Sequence, residues 1–214
     1  MKNTTLILAT IAIATGAFIS LYVKHRQVVT SQEKGIEMLT NNCEMQKHRA
    51  DEYYSMILNN LYSESSFLCD TILLTKLETL QQVPLCSLIQ NGPILVLRFS
   101  QYSCDVCVKR ELSKLHEMNE YFDSNKFIII ASFDNIRFAN LYKLDYDIKY
   151  PFYLVDEKVF DVPLEELLLP YFMLIEEDYR VSKVFYPLIS TPELTDSYYQ
   201  ILKEKYSFLF TENN

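Results

Sequence analysis

Between the apolar run Ile94-Leu-Val-Leu-Arg-Phe99 and a helical pattern that begins near Val106 lies the sequence Cys104-Asp-Val-Cys107. An apolar run of strand length that gives way at once to helical spacing narrows the local fold: a strand ends, and a helix starts on the cysteine pair. Two cysteines at this spacing can close a small disulfide ring. The helix N-terminus favours the thiolate form that attacks a disulfide. In a chain with five cysteines the spacing alone is a weak signal, so the strand-to-helix context carries the weight.

The rest of the chain reads as short elements in alternation. A helix is expected from about Asp105 to Phe122, with Leu112, Leu115 and Met118 along one side and Lys109, Arg110, Glu111, Lys114 and Glu117 at polar positions. Phe127-Ile-Ile-Ile-Ala-Ser-Phe133 is a continuous apolar run, as in a strand covered on both faces. A short helix follows from Ile136 to Leu144. Strands are expected near 151–155, 167–175 and 181–186, with Glu176-Glu-Asp178 as the hairpin turn between the last two. Thr191-Pro192 opens a closing helix that runs to about Tyr206. Upstream, Asn91-Gly-Pro93 marks a turn, and 28 to about 80 reads as one or two helices, with a break near Ser63-Glu-Ser-Ser66.

From Asn3 to Val23 no residue is charged, and 21 helical residues reach about 31 Å, the thickness of a bilayer core. That run predicts a membrane anchor over 1–27. A cleaved signal peptide is the competing reading, because Lys2 precedes the apolar run and small residues lie at Ala12-Ile-Ala14 and Thr15-Gly-Ala17. The expected organisation is therefore an anchor or signal peptide at 1–27, a helical stalk at 28–82 and a globular domain at 83–214. The stalk leaves a homodimer open. Net charge is −8 with no long basic run, which argues against a nucleic-acid partner. His25, His48 and His116 form no second paired motif with the cysteines, so neither a metal nor a bound cofactor is expected. Lys2 on one side of the run faces Lys24, Arg26 and Lys34 on the other, a balance that sets no orientation.

The order of strand, cysteine-pair helix, strand, helix, two strands and helix resembles the thioredoxin fold from about Val83 onward. Two motifs carry the resemblance: Ile94 to Phe99 followed by Ser-Gln-Tyr-Ser-Cys-Asp-Val-Cys, and Leu168-Leu-Pro170-Tyr-Phe-Met-Leu-Ile175 followed by an acidic turn. The resemblance implies an α/β three-layer domain with a central mixed sheet, and a cis peptide between Leu169 and Pro170 placed against the cysteine pair. In layout the chain is similar to the membrane-tethered TlpA and ResA type and to redoxin-like proteins of Bacteroides-type bacteria. These imply a single-pass protein of the cytoplasmic membrane with its domain on the periplasmic side.

The implied activity is disulfide exchange with protein thiols or disulfides and a redox partner not readable from sequence. Cys104 would be the attacking thiol and Cys107 the resolving one. A non-catalytic binding or scaffold protein on the same fold is the alternative. The chain departs from the family at four places. Ser103 and Val106 stand where Trp and Pro are common, and Arg98 stands where thioredoxin has a buried acid. Asp105 puts a carboxylate close to the sulfurs, which should oppose thiolate formation. Arg98 cannot accept a proton, though its charge could stabilise a thiolate. Cys43, Cys69 and Cys86 read as small apolar residues, with Cys86 a candidate partner in a second exchange step. Tyr102 and Tyr171 could form an apolar surface beside the pair on which a client polypeptide is held, though such rings are more often ordinary packing, and Glu165-Glu166 and Glu176-Glu177 read as solvated turns.

Overall fold

The computed structural model describes residues 2–117 and 122–211, with backbone alone for 2–12 and 14. Two compact units make up the chain, Met1–Tyr53 and Tyr54–Asn214. The first consists of the helix α1 (Lys2–Ser63), whose last ten residues belong to the second unit. No proline precedes Pro84, so nothing in this stretch removes a helical N–H. Ile36, Met38 and Leu39 of the first unit are exposed. The anchor expected at 1–27 falls largely on side chains outside the described residues. Among the described residues no helix is long and apolar enough to cross a membrane.

The second unit is built on one mixed sheet of seven strands in the order β2-β1-β5-β4-β3-β6-β7. These are β1 (Leu73–Lys76), β2 (Gln82–Pro84), β3 (Ile94–Ser100), β4 (Phe127–Ser132), β5 (Phe152–Leu154), β6 (Tyr171–Ile175) and β7 (Val181–Phe185). β3 lies between parallel β4 and antiparallel β6, and all seven of its residues are buried. A strand covered on both faces shows no polar alternation, which explains its unbroken apolar run.

The chain passes from β3 through α3 (Asp105–Glu117) to β4, and through α4 (Ile136–Asp145) to β5, each time to the next parallel strand in the same direction. Right-handed crossovers then put both helices on one face of the sheet. Val108, Leu112 and Leu115 of α3 and Ala139 of α4 accordingly share a core with Leu95, Leu97 and Phe99. The closing helix α5 (Pro192–Lys205) adds Tyr199 and Leu202 to the same core. On the opposite face Val96, Ile128, Ile130 and Met173 are covered by short pieces. These are α2 (Leu85–Leu88), the 3-10 turn Pro163–Leu167 and the segments carrying Leu68, Ile72 and Phe160. The third layer expected from the family resemblance is thus mostly irregular chain.

Three expectations need correction. The helical reading holds to Ser63 but not from there to 82. After Ser63 the chain turns through Ser65, with φ of 68°. Ser65 N–H then donates to the Val181 carbonyl, and Val181 N–H donates to that of Ser66. β1 pairs antiparallel with β5 and contributes the fully buried Leu74, so the sheet's demand for an edge partner overrides the local helical spacing. Second, the compact unit begins near Tyr54 rather than Val83, because Leu68, Ile72, Leu74 and Leu77 are all part of its cores. Third, α3 is described to Glu117. Met118 lies outside the described residues, and Phe122 forms a bridge with Phe210 rather than a last helical turn.

A fragment beginning at Val83 loses those four buried side chains, each worth roughly 1.5–3 kcal/mol of burial. The sum is comparable to the whole stability of a small domain, about 5–15 kcal/mol. Urea denaturation followed by circular dichroism should therefore show cooperative unfolding for residues 54–214 and little or none for residues 83–214.

Candidate functional site

The carboxyl end of β3 turns into α3 through a serine clasp. Ser103 Oγ accepts from Ser100 N–H at 3.0 Å, Ser103 N–H donates to the Ser100 carbonyl at 3.0 Å, and Tyr102 N–H donates to Ser100 Oγ at 3.1 Å. Ser103 therefore holds the turn where the family commonly places a Trp, and it is buried. The Cys104 carbonyl accepts from Val108 N–H at 3.0 Å, which makes Cys104 the cap of α3.

Cys104 and Cys107 form a disulfide across the first turn of α3, with Cα atoms 5.3 Å apart, inside the usual range for a bridged pair. Cys104 is half-buried and Cys107 is buried. Val106, between them, is 62% exposed.

Opposite the pair, Leu168 ends the 3-10 turn in the left-handed conformation, with φ of 50°. Its carbonyl accepts from Cys104 N–H at 2.9 Å. Pro170 follows, buried, at the start of β6. No peptide bond among the described residues is cis, so the Leu169–Pro170 bond is trans. The reversal into β6 is made instead by the positive φ of Leu168, which turns the chain without isomerising the bond.

Arg98 alternates with the residues that face α3, and its side chain lies on the other face of the sheet, only 1% exposed. Nε donates to Glu165 Oε1 at 2.8 Å and Nη2 to Oε2 at 3.0 Å, a two-pronged pair, while Nη1 donates to the Phe99 carbonyl at 2.6 Å. The guanidinium also lies 5.7 Å from the centre of the Phe160 ring. Tyr171 OH donates to the same carboxylate at 2.6 Å, and burial first, then Glu165, pushes that phenol far above its ordinary range. One expectation changes here: the Glu165 side chain is a buried partner rather than a solvated turn. Tyr171 is ordinary core packing. Since Glu165 neutralises Arg98, the arginine charge is not free to act on a sulfur.

Asp105 is exposed, and both of its oxygens are engaged: one with Lys109 Nζ at 2.6 Å, the other accepting from Tyr142 OH at 2.8 Å. Lys109 and then Tyr142 hold its carboxyl below the usual range. The opposition to thiolate formation expected from Asp105 is correspondingly offset by Lys109.

The remaining cysteines stand apart from the pair. Cys43 and Cys69 are exposed thiols, the latter in contact with Thr71 Oγ1 at 2.8 Å. Cys86, in α2, acts electrostatically on Tyr179 in the hairpin turn after β6. Because β6 runs antiparallel to β3, this turn lies at the end of the sheet away from Cys104, about 20 Å along a strand of seven residues. The second exchange step considered for Cys86 therefore has no geometric support. His116 is half-exposed, with Nδ1 3.9 Å from Asp147. Among the described residues no group of His, Cys, Asp and Glu could hold a metal.

From β3 onward the order of strands and helices around the cysteine pair is the one that the thioredoxin resemblance implies. Comparison with known proteins finds no matching family model and no matching curated protein. Among solved structures the chain is similar to a peroxidoxin from Mycobacterium tuberculosis, with 15% identity, 67% of this chain and 97% of that one covered, and a TM-score of 0.48. It is similar to a thiol:disulfide interchange protein from Bacteroides sp., with 16% identity, 65% and 88% covered, and a TM-score of 0.44. It also resembles a secreted Mycobacterium tuberculosis disulfide oxidoreductase, with 16% identity, 61% and 96% covered, and a TM-score of 0.41.

Reading the sequence alone missed Glu165 and Glu111. An arginine inside an apolar strand does signal that a buried carboxylate must exist somewhere, but not which one. Glu111, placed on the polar side of its helix by spacing, is fully buried against α5. Burial pushes its carboxyl up, against the pull of Arg110 Nε at 3.2 Å from Oε1.

Glu165→Ala leaves Arg98 buried without its carboxylate, and urea denaturation should show a loss of about 3–5 kcal/mol. The double variant Arg98→Met/Glu165→Leu should lose distinctly less, and an equal or larger loss would show that the unpaired guanidinium is not the source of the cost.

Tyr142 is pushed up to about 12 by burial and then by Asp105, and Tyr150 to about 12 by burial, against about 10 for a phenol in an unfolded chain. The neutral phenols thus favour folding in full below that unfolded value. Their contribution is lost as the pH rises from about 10 toward 12. Phenolate absorbance should rise for these residues only together with loss of the circular dichroism signal, whereas in denatured protein all tyrosines should titrate near 10.

Proposed function

We propose that this chain is a thiol–disulfide oxidoreductase that exchanges disulfides with protein substrates through Cys104 and Cys107. The observation that carries the reading is the disulfide across the first turn of α3, with Cys104 half-buried and Cys107 buried. A substrate thiolate attacks Sγ of Cys104; the Cys104–Cys107 bond breaks and Cys107 leaves as a thiolate that takes up a proton. A second substrate thiol then attacks the substrate sulfur of the mixed disulfide, and Cys104 leaves. Two electrons have passed from substrate to protein, and the reverse sequence reduces a substrate disulfide. The α3 N-terminus favours negative charge on the cap sulfur in either direction, so Cys104 is the better leaving group and the better attacker.

The uncharged run from Asn3 to Val23 supports tethering to the cytoplasmic membrane, with the domain on the periplasmic side, where disulfides persist. The exposed apolar residues of α1 in the first unit support a second copy of the chain as a partner there.

The competing reading is a binding protein in which the disulfide is a permanent clasp. It draws on the way Glu165 and Lys109 neutralise Arg98 and Asp105. Equilibration of the full chain in glutathione buffers, with free thiols trapped, separates the two. The wild type should show one reversible two-electron transition. In Cys107→Ser the Cys104 thiolate should attack oxidised glutathione, release one reduced glutathione and accumulate as the mixed disulfide, and Cys104→Ser should not. No exchange above background would leave the clasp.

A further inference from the structure

The surroundings of Cys104 combine apolar surface with acidic groups that have no ion-pair partner. Tyr102, Val106 and Leu168 are 57%, 62% and 46% exposed. Each adjoins Cys104, two by sequence and Leu168 through the hydrogen bond its carbonyl accepts from Cys104 N–H. Tyr102 OH donates to Asp134 Oδ2 at 2.6 Å. Glu157 lines one recess together with Ser103 and Leu168, the residues on either side of Cys104 in space. The two carboxylates also reach a common point: Asp134 and Glu157 both act on the Tyr102 phenol and raise it, Asp134 foremost through its hydrogen bond.

Their charge is not compensated. Asp105, Glu165 and Glu166 are each engaged with a base, Lys109, Arg98 and Lys158. Among the described residues neither Asp134 nor Glu157 forms an ion pair. Asp134 is held in place by Tyr102 and by Gln101, whose side-chain oxygen accepts from Asp134 N–H at 3.1 Å. A substrate presenting its sulfur to Cys104 must lay the flanking residues across Tyr102 and Leu168. Any charge on them then sits within a Debye length, about 10 Å at ordinary salt, of two uncompensated negative groups.

Resting on the disulfide-exchange reading, we propose that the rim of Cys104 selects extended polypeptide segments in which a lysine or arginine stands beside the reacting cysteine. Tyr102, Val106 and Leu168 take the peptide backbone and side-chain stems, and Asp134 and Glu157 take the charge. Peptides with acidic residues beside the cysteine are turned away by the same two groups. Complementarity of this kind acts on the rate of encounter more than on the strength of the final contact.

The test uses the full chain with its Cys104–Cys107 disulfide formed, and three dithiol peptides whose cysteines are flanked by Lys, Ser or Glu. In each reaction the peptide gives two electrons, its thiols become a disulfide, and Cys104 and Cys107 become thiols. The second-order rate is followed by thiol trapping. At low salt the Lys peptide should outpace the Glu peptide by about ten-fold beyond their difference with free oxidised glutathione, which removes the effect of each peptide's own thiol acidity. In about 1 M salt, where screening acts within about 3 Å, that preference should collapse. In Asp134→Asn/Glu157→Gln the ratio of Lys to Glu rates should fall toward that seen with glutathione. A wild-type ratio equal to that with glutathione, or one indifferent to salt, overturns the proposal even if the double variant does not fold. A ratio unchanged in a folded double variant overturns it as well. Failure of every peptide to exchange overturns the disulfide-exchange reading instead.

Discussion

A guanidinium inside an apolar sheet cannot be left unpaired, and the pairing of Arg98 with Glu165 organises what lies around it. The strand β3 is covered on both faces, so the charge on Arg98 has no route to water. Glu165 must come to it. In doing so it fixes the 3-10 turn Pro163–Leu167 under the end of β3, and Tyr171 joins the same carboxylate from the first position of β6. The residue that leaves this turn, Leu168, then has its carbonyl placed to accept from Cys104 N–H. A buried ion pair is expensive to assemble and gives little net stability. What it supplies here is position, since three separate segments meet at one group of atoms beside the disulfide.

The disulfide sits where two requirements coincide. Its helix must begin at the edge of the sheet, because β3 ends there and the crossover to β4 has to start. Cys104 is half-buried while Cys107 is buried, and the serine clasp before Cys104 fixes the turn from which the helix starts. The local charges are largely closed on themselves: Asp105 with Lys109 and Tyr142, Arg98 with Glu165. The field left over at the opening comes from Asp134 and Glu157, which sit on the loops after β4 and β5 rather than on the cysteine helix. The sulfurs and the acids that bias access to them thus belong to different parts of the chain.

How much of this was legible in the sequence depends on the range over which each feature is decided. The strands β3 and β4, the helix starting at the cysteine pair and the closing helix at Pro192 are written in runs and spacings of fewer than twenty residues, and the structure has them at those places. The segment from 64 to 84 was not legible as sheet. Its residues carry helical spacing, and only the open edges beside β5 and β7 make strands and bridges of them. Glu111 and Glu165 were placed in solvent by their own neighbourhoods, since a charged residue next to another charged residue reads as surface. Each is buried by a partner element that the local pattern does not reveal.

By itself, the sequence determined the cysteine pair, the element that presents it and the apolar strands on which that element rests, because period and composition act on neighbouring residues. Only the tertiary structure decided that Arg98 is neutralised across 67 positions by Glu165, and that the Leu169–Pro170 bond is trans, with Leu168 making the turn. It alone brought Asp134 into hydrogen bond with Tyr102 and Glu157 into one recess with Ser103 and Leu168. Those outcomes depend on which groups meet after the chain has folded, and the cost of burying a charge or leaving one uncompensated is settled there.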